Sequence, residues 1–201
     1  MNDKPDHQRP EKPDFWDKRF IEGVTPWNAG KAPAALVDFA SRCDGRPRTL
    51  IPGCGHAWEA GWLARLGWQV TALDFSPAAI AAARELLGNW PGELRCDDFF
   101  TYAPAAPFDI VYERAFLCAL PRRLWSGYGA RMHALIAPGG CIAYGITAQN
   151  SVLSAHCASS GAKGCAAGNS GGSGCRRSIT RAASAVSQYR SAPICSTGVR
   201  R

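Results

Sequence analysis

Apolar positions along the chain change rhythm at short, regular intervals between residues 48 and 146. Residues 49–51 form a brief apolar run ended by Pro52-Gly53, and residues 58–66 carry apolar side chains at i and i+4. This predicts a strand, a turn and a helix that stops at Gly67. The unit then repeats. Residues 69–73 read as a second strand, Ser76-Pro77 supplies an N-cap followed by proline at the first helical position, and the alanine-rich stretch 78–87 is a helix closed by Gly88. Residues 93–96 and 108–112 are the third and fourth strands. Residues 122–136 are a helix, and residues 141–146 a fifth strand after the turn Pro138-Gly139-Gly140. Ahead of the first strand, residues 15–20 and 33–40 predict two short helices around a loop at 22–31. Strands alternating with helices over short connections predict an α/β fold. The sheet is expected to be doubly wound and mostly parallel, with helices on both faces and right-handed crossovers.

Past residue 149 Ser, Gly, Ala, Cys and Arg dominate, acidic residues stop, and no period can be followed. The expected organisation is one α/β domain over residues 1–148 and a basic low-complexity tail over 149–201. The formal charge of +7 belongs to that tail. Residues 1–149 hold all 16 acidic residues and 16 of the 23 lysines and arginines, while Lys163, Arg176, Arg177, Arg181, Arg190, Arg200 and Arg201 supply the remainder. The basic balance therefore carries no information about what the folded domain binds. Two origins of the tail stay open. Out-of-frame translation of a GC-rich gene would erase acidic residues and periodicity together, whereas a genuine disordered cationic tail would bind nucleic acid or anionic surfaces.

The nine cysteines lack paired spacing and no export signal precedes them, so reduced thiols are expected. Four scattered histidines and the absence of Cys-x-x-Cys predict no metal site. With no apolar stretch fit for a signal core or a membrane span, the expected location is the cytoplasm, away from any membrane.

Chemistry enters at the first turn. Gly53 and Gly55 stand where a strand gives way to a helix, and glycines there let the backbone approach a bound nucleotide closely. Asp74 ends the second strand 21 residues after Gly53, where a carboxylate accepts from both ribose hydroxyls. A nicotinamide dinucleotide would need a small residue at position 58 for its pyrophosphate. Trp58 disfavours it and is compatible with a ligand lacking a diphosphate, such as S-adenosyl-L-methionine. After the third strand, Asp98 in Asp97-Asp98-Phe99-Phe100 is placed to accept from an adenine amino group, with an aromatic neighbour to cover the ring.

The segments FWDKRFIEGVTPWNAG, LIPGCG, ALDFS, CDDFF and FDIVYERAFLCALP, in this order over residues 14–146, resemble the thiopurine S-methyltransferase family, which includes thiol and halide methyltransferases. The resemblance implies the class I methyltransferase sheet, here truncated after its fifth strand. It also implies S-adenosyl-L-methionine as cofactor, held by Gly53, Gly55 and Asp74, with Asp98 and Phe99 on the adenine side. Trp16, Phe20 and Trp27 match an aromatic segment that folds over the donor, where aromatic faces favour a sulfonium cation and exclude water. Arg114 matches a donor contact. An arginine there can pair with the donor's carboxylate, steer an anionic acceptor, or salt-bridge Glu113 or Asp109.

Methyl transfer from a sulfonium is an in-line displacement that requires positioning in a dry cavity more than acid–base machinery, so no catalytic residue is assigned. Cys54 and Cys118 are expected to be packing residues, and Glu113 to be structural. The expected function is methyl transfer to a small-molecule thiol, thiopurine or halide by a monomer that engages neither membrane nor nucleic acid. The alternative is a catalytically impaired donor-binding remnant that lacks the C-terminal part of the sheet.

Overall fold

The computed structural model describes residues 4–145 and the backbone of residues 153–157. Helices α1 (Pro13–Ile21) and α2 (Ala34–Ser41) precede the sheet. Strands β1 (Arg48–Pro52), β2 (Gln69–Asp74), β3 (Glu93–Cys96), β4 (Phe108–Arg114) and β5 (Ile136–Gly145) then alternate with helices α3 (Trp58–Arg65), α4 (Pro77–Leu87), α5 (Phe116–Ala119) and α6 (Trp125–Leu135). The sheet order is β3-β2-β1-β4-β5-β6, with the first five strands parallel. The sixth, Leu153–Cys157, runs antiparallel to β5 and pairs with Cys141–Gly145. The parallel part of the sheet thus ends with the fifth strand, as expected. The outer edge of β5, which the patternless tail implied would be open, is covered by a strand from that tail. The rest of the tail lies outside the described residues.

Strand alternation sorts the core into two layers. Ile51, Val70, Ala72, Ile110, Tyr112 and Ala143 face Leu36 and Phe39 of α2, Leu63 of α3 and Ile80 of α4. Leu50, Leu73, Phe108, Val111 and Ile142 face Leu117 of α5 and Tyr128, Met132 and Leu135 of α6. Both faces of the sheet are therefore buried, which is why apolar residues on its central strands point to both sides instead of to one.

Local signals hold where they were strongest. The Ser76 side chain accepts from the Ala79 N–H at 3.1 Å with Pro77 following, and α4 closes at Gly88. The fifth strand differs from its expected bounds. Phe108 pairs with Ile136 and Ile110 with Cys141, so Pro138-Gly139-Gly140 forms an irregularity within β5 and does not precede it. A Cβ at Gly140 would come within 2.7 Å of the Asp109 carbonyl oxygen, so the kink depends on glycine.

Candidate functional site

The order β3-β2-β1-β4-β5 reverses direction between β1 and β4, which opens a crevice between the loops at their carboxyl ends. Gly53 begins one of these loops with φ +61°, and a Cβ there would run into the ring of Phe116, approaching Cε2 to 3.1 Å. Gly55, with φ +53°, faces Phe20 and the Trp27 indole nitrogen at 3.5 and 4.0 Å from an ideal Cβ. Two non-glycine residues take left-handed backbone, Ala57 (φ 60°) before α3 and Ala115 (φ 64°) before α5. Such strain, on the order of 1 kcal/mol or more each, clusters at functional sites.

Asp74 is buried at the end of β2. Its Oδ2 accepts from the Gly55 N–H and its Oδ1 from the Ser76 N–H, each at 3.0 Å. The Phe75 N–H also favours the Asp74 anion, and a carboxylate has about four acceptor directions, so acceptor capacity remains for a hydroxyl. Burial pushes Asp74 up to about 6, against the backbone N–H bonds that favour the anion and with Asp17 adding to the rise. Asp17 comes from α1. Its Oδ1 accepts from the Ser76 hydroxyl at 2.6 Å and from the Ala78 N–H at 2.9 Å, which fastens α1 to the N-terminus of α4.

The aromatic segment assembles as the resemblance implied. Trp27 meets Trp16 edge to face at 5.5 Å and Phe20 at 6.2 Å, and Phe20 lies 5.1 Å from the His56 ring in the glycine loop. The Asn28 carbonyl oxygen takes the indole N–H of Trp58 at 2.9 Å and the Gly30 N–H at 3.0 Å. Trp58, which argued against a dinucleotide, therefore also ties the segment to the start of α3.

Arg114 pairs with neither Glu113 nor Asp109. Its Nε donates to Glu59 Oε1 at 2.6 Å and its Nη1 to the Trp27 carbonyl at 3.3 Å, both side chains being largely buried. Farther out, Arg123 pairs with Glu11, linking the residues before α1 to those after α5.

Asp98 lies apart from this assembly. Its side chain is exposed at the end of β3, with Oδ1 accepting from the Phe100 N–H at 2.9 Å. Phe99 is buried against Phe116 (5.1 Å) and Tyr128 (5.7 Å), one ring removed from Gly53. Cys54 is buried within the glycine loop, and burial beside Asp74 and Glu59 pushes its thiol up, as befits a packing residue. Asp17, Asn28, Glu59 and Phe116 were not foreseen. Only Glu59 carried a local signal, an acidic residue in the first turn of a helix. Among the described residues no three His, Cys, Asp or Glu side chains are gathered as a metal site, and no helix is long and apolar enough to cross a membrane.

The sequence profile of the family Thiopurine S-methyltransferase (TPMT) matches residues 11–150. "Probable thiol methyltransferase 2" of Arabidopsis thaliana is 34% identical over 135 residues, covering 62% of this chain and 58% of that protein. "Thiocyanate methyltransferase 1" of Arabidopsis thaliana is 33% identical over 132 residues, covering 62% and 57%. The chain thus spans less than two thirds of the length of these relatives. The N-methyltransferase NodS of Bradyrhizobium japonicum WM9, solved with S-adenosyl-L-homocysteine, superposes with a TM-score of 0.54 at 20% identity, covering 66% of this chain and 71% of that one. That likeness is one of fold, the class I methyltransferase fold.

Proposed function

The chain belongs to the thiopurine S-methyltransferase family, and from that premise we propose that it binds S-adenosyl-L-methionine and transfers the methyl group to a small-molecule thiol, thiopurine or halide. The observation that carries this reading is the pairing of Asp74, held by Gly55 and Ser76 at the crevice, with the aromatic wall of Phe20 and Trp27 facing Gly55. These residues fit an adenosyl sulfonium. The carboxylate keeps acceptor capacity for the ribose hydroxyls, and the indole and phenyl faces suit a cation. When bound, the donor supplies an activated methyl carbon on a positively charged sulfur.

The chain's own residues do the positioning. Gly53 and Gly55 bring the backbone close, and Asp74 fixes the sugar. Trp16, Phe20 and Trp27 exclude water from the sulfonium side. Asp98 and Phe99 stand on the adenine side, Asp98 as a surface acceptor and Phe99 through its contact with Phe116. Arg114, engaged by Glu59, the Trp27 carbonyl and Tyr112, braces the aromatic segment against β4 and sets its guanidinium beside the donor's carboxylate.

The domain, expected over residues 1–148, is read as extending to the strand Leu153–Cys157 that pairs with β5, and as working as a cytoplasmic monomer on small acceptors without nucleic acid. Calorimetric titration of the full chain with S-adenosylmethionine, run beside methylation assays with thiophenol and iodide, tests the reading. Binding with turnover of either acceptor supports it. Binding without turnover supports the impaired remnant. No binding sinks both.

A further inference from the structure

Glu113 precedes Arg114 at the end of β4, and strand alternation turns the two side chains to opposite faces of the sheet. Arg114 goes with Tyr112 toward α3, while Glu113 goes with Val111 toward α5 and α6. Only 5% of Glu113 is exposed. Its Oε2 accepts from the Phe116 N–H at 2.8 Å and from the Leu117 N–H at 3.2 Å, which caps α5. Among the described residues no donor reaches Oε1. No fully buried side-chain oxygen there lacks a partner, so Oε1 is the edge of the carboxylate that meets solvent. Phe116, whose N–H is captured, is the ring that closes on Gly53. The carboxylate therefore stands at the crevice where the order of strands reverses, on the far side of Gly53 from the aromatic wall.

Its titratable neighbours are Tyr128 from α6, Tyr144 opposite it on β5, and Tyr112 and Arg114 along β4, the Arg114 guanidinium being turned away to Glu59. No cation faces it. Burial pushes Glu113 up to about 7 despite the two N–H bonds that favour the anion, so the group can gain and lose a proton near neutrality.

We infer that Glu113 is a catalytic base that takes the proton of a thiol acceptor, extending the site from acceptors that are already anions to neutral thiols. The inference rests on the methyltransferase reading above. In the step, the S–H bond breaks as Oε1 gains the proton, and the freed sulfur pair forms the bond to the methyl carbon. The bond from that carbon to the donor sulfur breaks with its pair remaining on that sulfur. A sulfonium cation, a thiol and a carboxylate become two neutral thioethers and a carboxylic acid, which returns its proton to solvent. Capping α5 and taking the proton use different oxygens of one side chain.

Glu113→Gln tests this. The amide oxygen can keep both N–H bonds, while its NH2 group replaces the free acceptor. At saturating donor, kcat/KM of the full wild-type chain for 2-mercaptoethanol, an alkyl thiol that is neutral over pH 6–8, should rise up to about pH 7, where Glu113 loses its proton, and level off above it. The variant, left with the small thiolate fraction, should keep rising through pH 8, and at pH 7 it should lower kcat/KM for the thiol relative to that for iodide by about a hundredfold, the span of general-base catalysis. Glu113→Asp should recover part of the thiol activity and guards against misfolding of the glutamine variant. Equal pH profiles in wild type and E113Q, or equal losses for thiol and iodide, would overturn the inference. Turnover of iodide alone by the wild type would also overturn it, whereas turnover of neither acceptor would sink the methyltransferase reading and the inference with it.

Discussion

The hydroxyl of Ser76 donates to Asp17 at 2.6 Å, and the same carboxylate oxygen takes the Ala78 N–H, so a residue of α1 completes the N-terminus of α4. One acidic side chain thereby secures both the helix that follows Asp74 and the aromatic segment that lines the crevice. Asp17→Ala should cost about 1–2 kcal/mol in urea unfolding, the scale of a lost helix cap. It should also weaken S-adenosylmethionine binding at least several-fold. A stability loss with unchanged donor affinity would show that α1 does not depend on this bond for its place at the site.

Asp74 yields a prediction in pH. The ionised form accepts ribose hydroxyls, so donor affinity should fall as pH drops through about 6, approaching tenfold per unit below it. For the free protein the sign is opposite. Because folding raises this pKa, the contribution of Asp74 to stability is fully present below its ordinary value near 4 and is lost as pH rises through about 6. The span amounts to about 3 kcal/mol. The difference in unfolding free energy between wild type and Asp74→Asn, measured from pH 4 to pH 7.5, isolates that change from other titrating groups. A flat difference would refute it.

Gly53→Ala combines left-handed backbone with a clash on Phe116, whereas Gly45→Ala carries the backbone strain alone, since Gly45 (φ +80°) has nothing within 4 Å of its would-be Cβ. Gly45→Ala should cost about 1 kcal/mol, and Gly53→Ala clearly more, with donor binding reduced beyond tenfold. Adding Phe116→Leu should return the steric part. Equal costs for the two glycines would mean that Phe116 yields freely.

The buried pair Arg114–Glu59 should follow the arithmetic of uncompensated charge. Arg114→Met or Glu59→Met alone should destabilise by about 3–5 kcal/mol, and the two together by less than either. A double-mutant cycle by chemical denaturation reads this directly. Additive single costs would show that the two groups do not sense each other.

Much of this fold was written locally. The Ser76-Pro77 start of α4, the turn at Gly53 and the bounds of β3 depend on neighbours a few residues away, and periodicity reports such neighbours faithfully. Asp74 was legible for the same reason, since the end of a strand fixes where its side chain stands. Other features depended on distant partners. Nothing around Asp17 announces that it will cap a helix beyond the first two strands, and Arg114 has acidic neighbours in Glu113 and Asp109 that sequence distance favours and strand alternation rules out. The kink at Gly140 was legible as a turn but not as an interruption within a strand, because only the register against Phe108 and Ile110 reveals it. The sixth strand lay hidden because its pairing with β5 runs through backbone groups, which require no side-chain pattern.

The bonds that hold the crevice wall join residues far apart in the chain. Asp17 and Ser76 are 59 residues apart, Trp27 and Arg114 are 87 apart, and Glu11 and Arg123 are 112 apart. On a ribosome, the first thirty residues emerge long before any of these partners exists. Loop closure over such distances is slow. The wall around the donor site accordingly stays incomplete until residue 123 has left the exit tunnel, so its first thirty residues wait on the fourth strand and the turn that follows it.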